Sequence, residues 1–125
     1  MITYKFNNTT GILETTFEGK ITVVELIDYI ESVRDDNTLP KKLKIFSDGS
    51  NGKFATKVNP KELKQFLDIN KVTLKQKDYI YDAYVVSGSV EMALGMLYKN
   101  LIRIKNYKFN IFSTKEAALD WLNKF

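Results

Sequence analysis

Segments that alternate apolar and polar residues take turns along this chain with segments whose apolar residues recur at helical spacing. Such turn-taking leaves few folds open, because strands joined through helices pair in parallel by βαβ crossovers. Residues 2–6 put Ile2, Tyr4 and Phe6 on one strand face, and Asn7 to Gly11 carry turn chemistry. Residues 12–18 answer as a second strand, ended by Gly19 and Lys20, so the pair reads as a hairpin. Thr22 opens the first helix with Glu25 three residues on, a capping box, and Ile27, Ile30 and Val33 continue its apolar stripe from Val23 and Leu26. Residues 43–47 form a third strand. The second helix opens at Asn59-Pro60, carries Leu63, Phe66 and Leu67, and ends near Asn70, with residues 71–78 open to a further turn. Residues 79–87 make a fourth strand with Tyr79 and Tyr81 on one face and Tyr84 on the other. Ser89 caps a third helix whose Val90, Ala93, Leu94, Leu97 and Leu101 face the core, widened by Met92 and Met96. Residues 107–112 are the last strand, and Ser113 caps a final helix that buries Ala118, Trp121 and Leu122. The expected fold is a single α/β domain over residues 1–125. It has a five-stranded mixed sheet and four helices in the order ββαβαβαβα, with the hairpin as an antiparallel edge.

Two zeros in the composition narrow the chemistry. The chain has no Cys and no His. Thiol nucleophiles, disulfides, the usual zinc sites and a Ser-His-Asp triad are therefore ruled out, and a general base would have to be a carboxylate, Lys or Tyr. No constellation of the remaining residue types reads as catalytic, so the expectation is a non-enzyme with no cofactor and no metal. No apolar run approaches the roughly 18 residues of a membrane-spanning helix, and the start lacks signal-peptide character, which reads as cytoplasmic. The net charge of +4 comes from lysine far more than arginine, since only Arg34 and Arg103 are arginine. Phosphate and base readers favour the planar fork of Arg, so no specific nucleic-acid binding is expected, and a weak form of it is the least favoured binding reading.

Binding is expected around the third strand's end. Asp48, Gly49, Ser50, Asn51, Gly52 and Lys53 read as a Gly-rich loop at the carboxyl end of a parallel strand, where open α/β sheets bind ligands. Lys57, Lys61 and Lys64 extend the region into the second helix. Between residues 41 and 77 ten lysines face three acids, a basic stretch suited to an anionic small molecule, a lipid headgroup or an acidic protein partner. The same residues also fit a plain solvated helix face and a turn that needs glycine. The tyrosines suit core packing, a pocket lining or a homodimer surface.

Several segments carry a resemblance. "GKITVVEL" is similar to the helix entry of SpoIIAA-like proteins, within the STAS and CRAL-TRIO-like superfamily. "LKIFSDG" resembles the strand running into their variable loop, "DAYVVSGS" their next strand, and "FSTKEAALDWL" their carboxy-terminal signature. The resemblance covers nearly the whole chain and implies a STAS-like fold, found mostly in uncharacterised small bacterial proteins. It also implies, for the anti-sigma-factor antagonists of that fold, a phosphorylated Ser at a helix start. Ser50 is the nearest counterpart, but it does not sit in a D-S-x-G setting. The sequence-level reading is a regulatory or binding module centred on residues 48–57. The alternative is a small carrier of a lipid or other apolar ligand, lined by Phe66, Met92 and Met96.

Overall fold

The computed structural model describes residues 1–54 and 60–125. Its elements are β1 (Ile2–Asn7), β2 (Ile12–Ile21), α1 (Val23–Asp35), β3 (Lys42–Phe54), α2 (Pro60–Lys75), β4 (Tyr79–Val85), α3 (Ser89–Leu101), β5 (Tyr107–Phe112) and α4 (Lys115–Leu122). The strands form one sheet in the order β1-β2-β3-β4-β5. β1 runs antiparallel to β2, and every other pair is parallel. The ββαβαβαβα order and the antiparallel edge are as the alternation of patterns implies.

Sequential neighbours joined by right-handed crossovers place successive helices on the same face. α1, α2 and α3 accordingly share one face of the sheet, and α4 alone covers the other. Alternation within the strands then sorts the core. Leu13, Leu43, Ile45 and Ile80 pack under α1 and α2 with Val33 and Leu74. Ile12, Phe46, Ala83 and Val85 pack against Ala118 and Leu122 of α4. Tyr81 lies on the α4 side, stacked on Phe125 at 4.1 Å, while Tyr84 meets Phe17 on the other. Leu122 is fully buried as expected, whereas Trp121 is only half-buried, against Phe112.

The helix starts obey capping chemistry with some shifts. Thr22 accepts the Glu25 N–H as expected. Thr114, not Ser113, caps α4, accepting the Ala117 N–H. Ser89 is the first residue inside α3 rather than its cap; Gly88 precedes it with no side-chain cap bond. Asn59, the expected cap of α2, lies outside the described residues. α2 runs past Asn70 to Lys75, and Asn70, Thr73 and Leu74 are its buried residues.

Two stretches depart from the sequence reading. β2 does not stop at Gly19: it continues to Ile21, with Gly19 at φ 71°. β3 does not stop at Ser47 either. Residues 48–53 are strand, not loop, and pair in parallel with the extended β2 through Phe54. The partners of Asp48 and Asn51 on β2 are Thr16 and Glu18, so β3 carries one extra residue there, a bulge. Pairing with β4 ends at Asp48, and the rest of β3 follows β2 alone. The two glycines serve close packing rather than turning. A Cβ on Gly49 would lie 2.7 Å from Tyr84 Cε2 and 2.7 Å from the Val85 carbonyl oxygen, and one on Gly52 2.8 Å from Phe17 Cβ.

Candidate functional site

α3 turns an unexpected face to the sheet. Its sheet-facing line is Glu91, Gly95, Tyr98 and Ile102, with Glu91 and Gly95 buried. The apolar residues expected inward are largely outside: Val90 is 62% exposed, Met96 47%, Leu97 44% and Leu101 44%. Gly95 is the reason. Its missing side chain lets the helix backbone settle beside Ile111, whose Cδ1 would be 2.9 Å from a Cβ there.

A cavity of about 160 Å³ lies between the sheet and the three helices. α1 contributes Leu26, Tyr29 and Ile30; α2 contributes Leu63 and Phe66; α3 contributes Leu94 and Leu97. The sheet supplies the floor, including Phe17, Ile45, Tyr84 and Phe109. The lining is dominated by aliphatic and aromatic side chains, the usual character of a small-molecule site. Leu97 belongs both to the lining and to the surface, so it marks an opening.

One carboxylate sits in this apolar floor. Asp82 occupies an inward position of β4, between Ile80 and Tyr84 on the same face, and lines the cavity. Its Oδ1 accepts from Ser47 Oγ at 2.8 Å and its Oδ2 from Tyr107 OH at 3.2 Å. Tyr107 in turn accepts from Tyr98 OH at 2.9 Å, and Tyr98 accepts from the Asn70 amide. Burial pushes the Asp82 carboxyl up to about 6, against the lowering effect of the Ser47 and Tyr107 bonds. Burial likewise raises Tyr98 and Tyr107 far above ordinary phenols, so both remain neutral donors. Nearby, Tyr29 OH pairs with buried Thr15 Oγ1 at 2.8 Å. Among the described residues no Lys or Arg forms an ion pair with Asp82, the ion pairs there being those of the amino terminus and Arg34.

The sequence-level candidates lie elsewhere. Asp48, Gly49, Ser50, Asn51, Gly52 and Lys53 are on the bulged end of β3, and none of them lines the cavity. Ser50 is exposed, and its Oγ and N–H both donate to Asp48 Oδ1, at 2.6 and 3.1 Å. It is a strand residue, not a helix start, so the switch geometry of the antagonists is not reproduced. We expect Ser50→Ala to change stability by less than about 0.5 kcal/mol in chemical denaturation, because it removes one exposed hydrogen bond. Lys53 and the α2 lysines Lys61, Lys64, Lys71 and Lys75 are exposed, and the last four follow one helix face. Lys57 lies outside the described residues. Of the three residues expected to hold an apolar ligand, Phe66 lines the cavity, whereas Met92 and Met96 do not.

No protein-family model and no curated protein matches the chain. Among solved structures, an uncharacterised DUF3478-family protein of Shewanella loihica PV-4 with a SpoIIAA-like fold superposes with a TM-score of 0.62. The match has 17% identity and covers 97% of this chain and 93% of that one. The five-stranded mixed sheet with three helices on one face and one on the other is thus a SpoIIAA-like fold.

Proposed function

We propose that the chain is a non-enzymatic binding protein for a small apolar molecule, held between the sheet and the helices α1, α2 and α3. The observation that carries this is the cavity itself: about 160 Å³ of apolar-lined space in a domain of 125 residues. Native interiors are packed to crystal-like density and rarely leave such a volume empty without use. An apolar hollow of about 150 Å³ is enough to stay dry and take up benzene. Of the two sequence-level readings, the geometry therefore favours the carrier over a module centred on residues 48–57. The exposed lysines of α2 lie outside the lining and take no part in holding such a ligand.

Ethylbenzene titrated into isotopically labelled protein tests the reading. Saturable shifts are expected at the methyl groups of Leu26, Ile45, Leu63 and Leu94, with little change at α4. Absence of any saturable shift at these methyls would overturn it.

A further inference from the structure

A chain of hydrogen bonds beside the cavity runs toward one carboxyl group. Asn70 donates to Tyr98, Tyr98 to Tyr107, and Tyr107 to Asp82, while Ser47 donates from the other side. A relay oriented this way presents Asp82 as an acceptor. Each of its oxygens holds one donor, whereas a carboxylate can accept about four. Part of its accepting capacity is therefore uncommitted within this network, in a group that lines the cavity. No lysine or arginine among the described residues pairs with it. A carboxylate in an apolar setting without a cation is costly to hold, and a ligand that brings a positive charge relieves that cost.

The rings around the acid favour the same ligand. Phe17 and Tyr84 meet edge to face at 5.8 Å, and Tyr84 and Phe109 stack at 6.2 Å, all three lining the cavity. Aromatic faces attract an ammonium group, most strongly where water is excluded. An anionic ligand would meet the opposite: a carboxylate, and Ser47, Tyr98 and Tyr107 hydroxyls whose protons are already committed to it or to one another.

We propose that the cavity takes a small amphipathic amine, its apolar body among the helices and its single protonated amino group donating to Asp82. This rests on the cavity being a binding site and adds the chemical class of what fills it. The volume limits the body to about the size of one aromatic ring or a short alkyl chain.

Three isosteric probes decide the matter on the wild-type protein: benzylamine, benzyl alcohol and ethylbenzene, titrated at pH 7.5 by NMR or calorimetry. Benzylamine is expected to bind at least tenfold more tightly than either neutral probe. Asp82→Asn should abolish that preference while ethylbenzene still binds. Ethylbenzene binding with no preference for the amine overturns the amine assignment and leaves the apolar cavity standing. Failure of all three probes overturns both. An amine preference that survives Asp82→Asn removes Asp82 from the site. Should that variant not fold, Ser47→Ala and Tyr107→Phe, which each take a donor from the same carboxylate and leave its charge more dependent on the ligand, are expected to increase the preference, and an unchanged preference in both counts against the assignment.

Discussion

Gly49→Val is expected to destabilise the protein at the upper end of the roughly 1–3 kcal/mol that overpacking costs. In a domain whose whole stability is about 5–15 kcal/mol, that lowers the melting temperature by several degrees or more. The reason is geometric. A Cβ at Gly49 would sit 2.7 Å from the Val85 carbonyl oxygen, a backbone atom that cannot swing away, and 2.7 Å from Tyr84 Cε2. Gly49 is buried, at the point where β3 parts from β4. Relief requires β3 and β4 to separate or Tyr84 to move into the cavity, and either change disturbs the floor beside Asp82. The substitution also separates two readings of residues 48–53. A surface loop would absorb a valine there within about 0.5 kcal/mol. Paired denaturation curves for Gly49→Val and Ser50→Ala, one costly and one silent, are the expected outcome; two silent curves would return the segment to a loop.

That segment departs from its local turn signal for a physical reason. Asp48-Gly49-Ser50-Asn51-Gly52 has the composition of a turn, and local propensity is all that a single sequence offers there. What makes it a strand is the second half of β2, whose backbone it pairs with from Glu18 to Ile21. That partner is some thirty residues away, and Gly52 is small because Phe17 presses on it, not because the chain turns. The element order was legible because periods of two and 3.6 alternate over most of the chain. The face of α3 was not. Leu94, Leu97 and Leu101 make an inward stripe by hydropathy, and Leu94 does reach the cavity wall, yet Leu97 and Leu101 are exposed and the helix turns Glu91 and Gly95 to the sheet, where Gly95 fits on Ile111. The cavity is walled by α1, α2, α3 and the sheet together, so it too lies beyond a reading by pattern. Asp82 was different. A lone acid at the inward position of the strand Tyr79–Val85, flanked at two-residue spacing by Ile80 and Tyr84, is a visible anomaly, because an acid is almost never fully buried unless it is paired. The tyrosines around it carry the signal of a core or a pocket, and the acid among them is the polar feature of that strand.

Asp82→Asn is expected to make the ligand-free protein more stable at pH 7.5, by about 2 kcal/mol. In the folded state the carboxyl keeps its proton up to about 6, against an ordinary value of 3.8. Between those values the folded chain binds more protons than the unfolded one. The contribution of this group is therefore fully present below about pH 4, falls as pH rises toward 6, and is lost above it. A shift of that size corresponds to about 3 kcal/mol at most. The amide carries no charge to bury, so the substitution recovers most of this at neutral pH. It also presents an N–H₂ where an acceptor stood, so either Ser47 or Tyr107 must redirect its proton, at a cost of about 1 kcal/mol. The difference in unfolding free energy between variant and wild type, followed from pH 4 to 8, should rise across the interval from 4 to 6 and then level off. Taking the difference cancels the other carboxylates common to both chains, among them Asp35 and Asp36, whose values are lowered by bonds to Arg34 and to Thr38 respectively. A flat difference would mean that Asp82 is as well solvated as a surface acid. A variant less stable than wild type at every pH would mean that the hydrogen bonds to the carboxylate outweigh its burial. The expected result has a functional edge: an unliganded domain that gains stability by losing a charge is holding that charge for something other than its own fold.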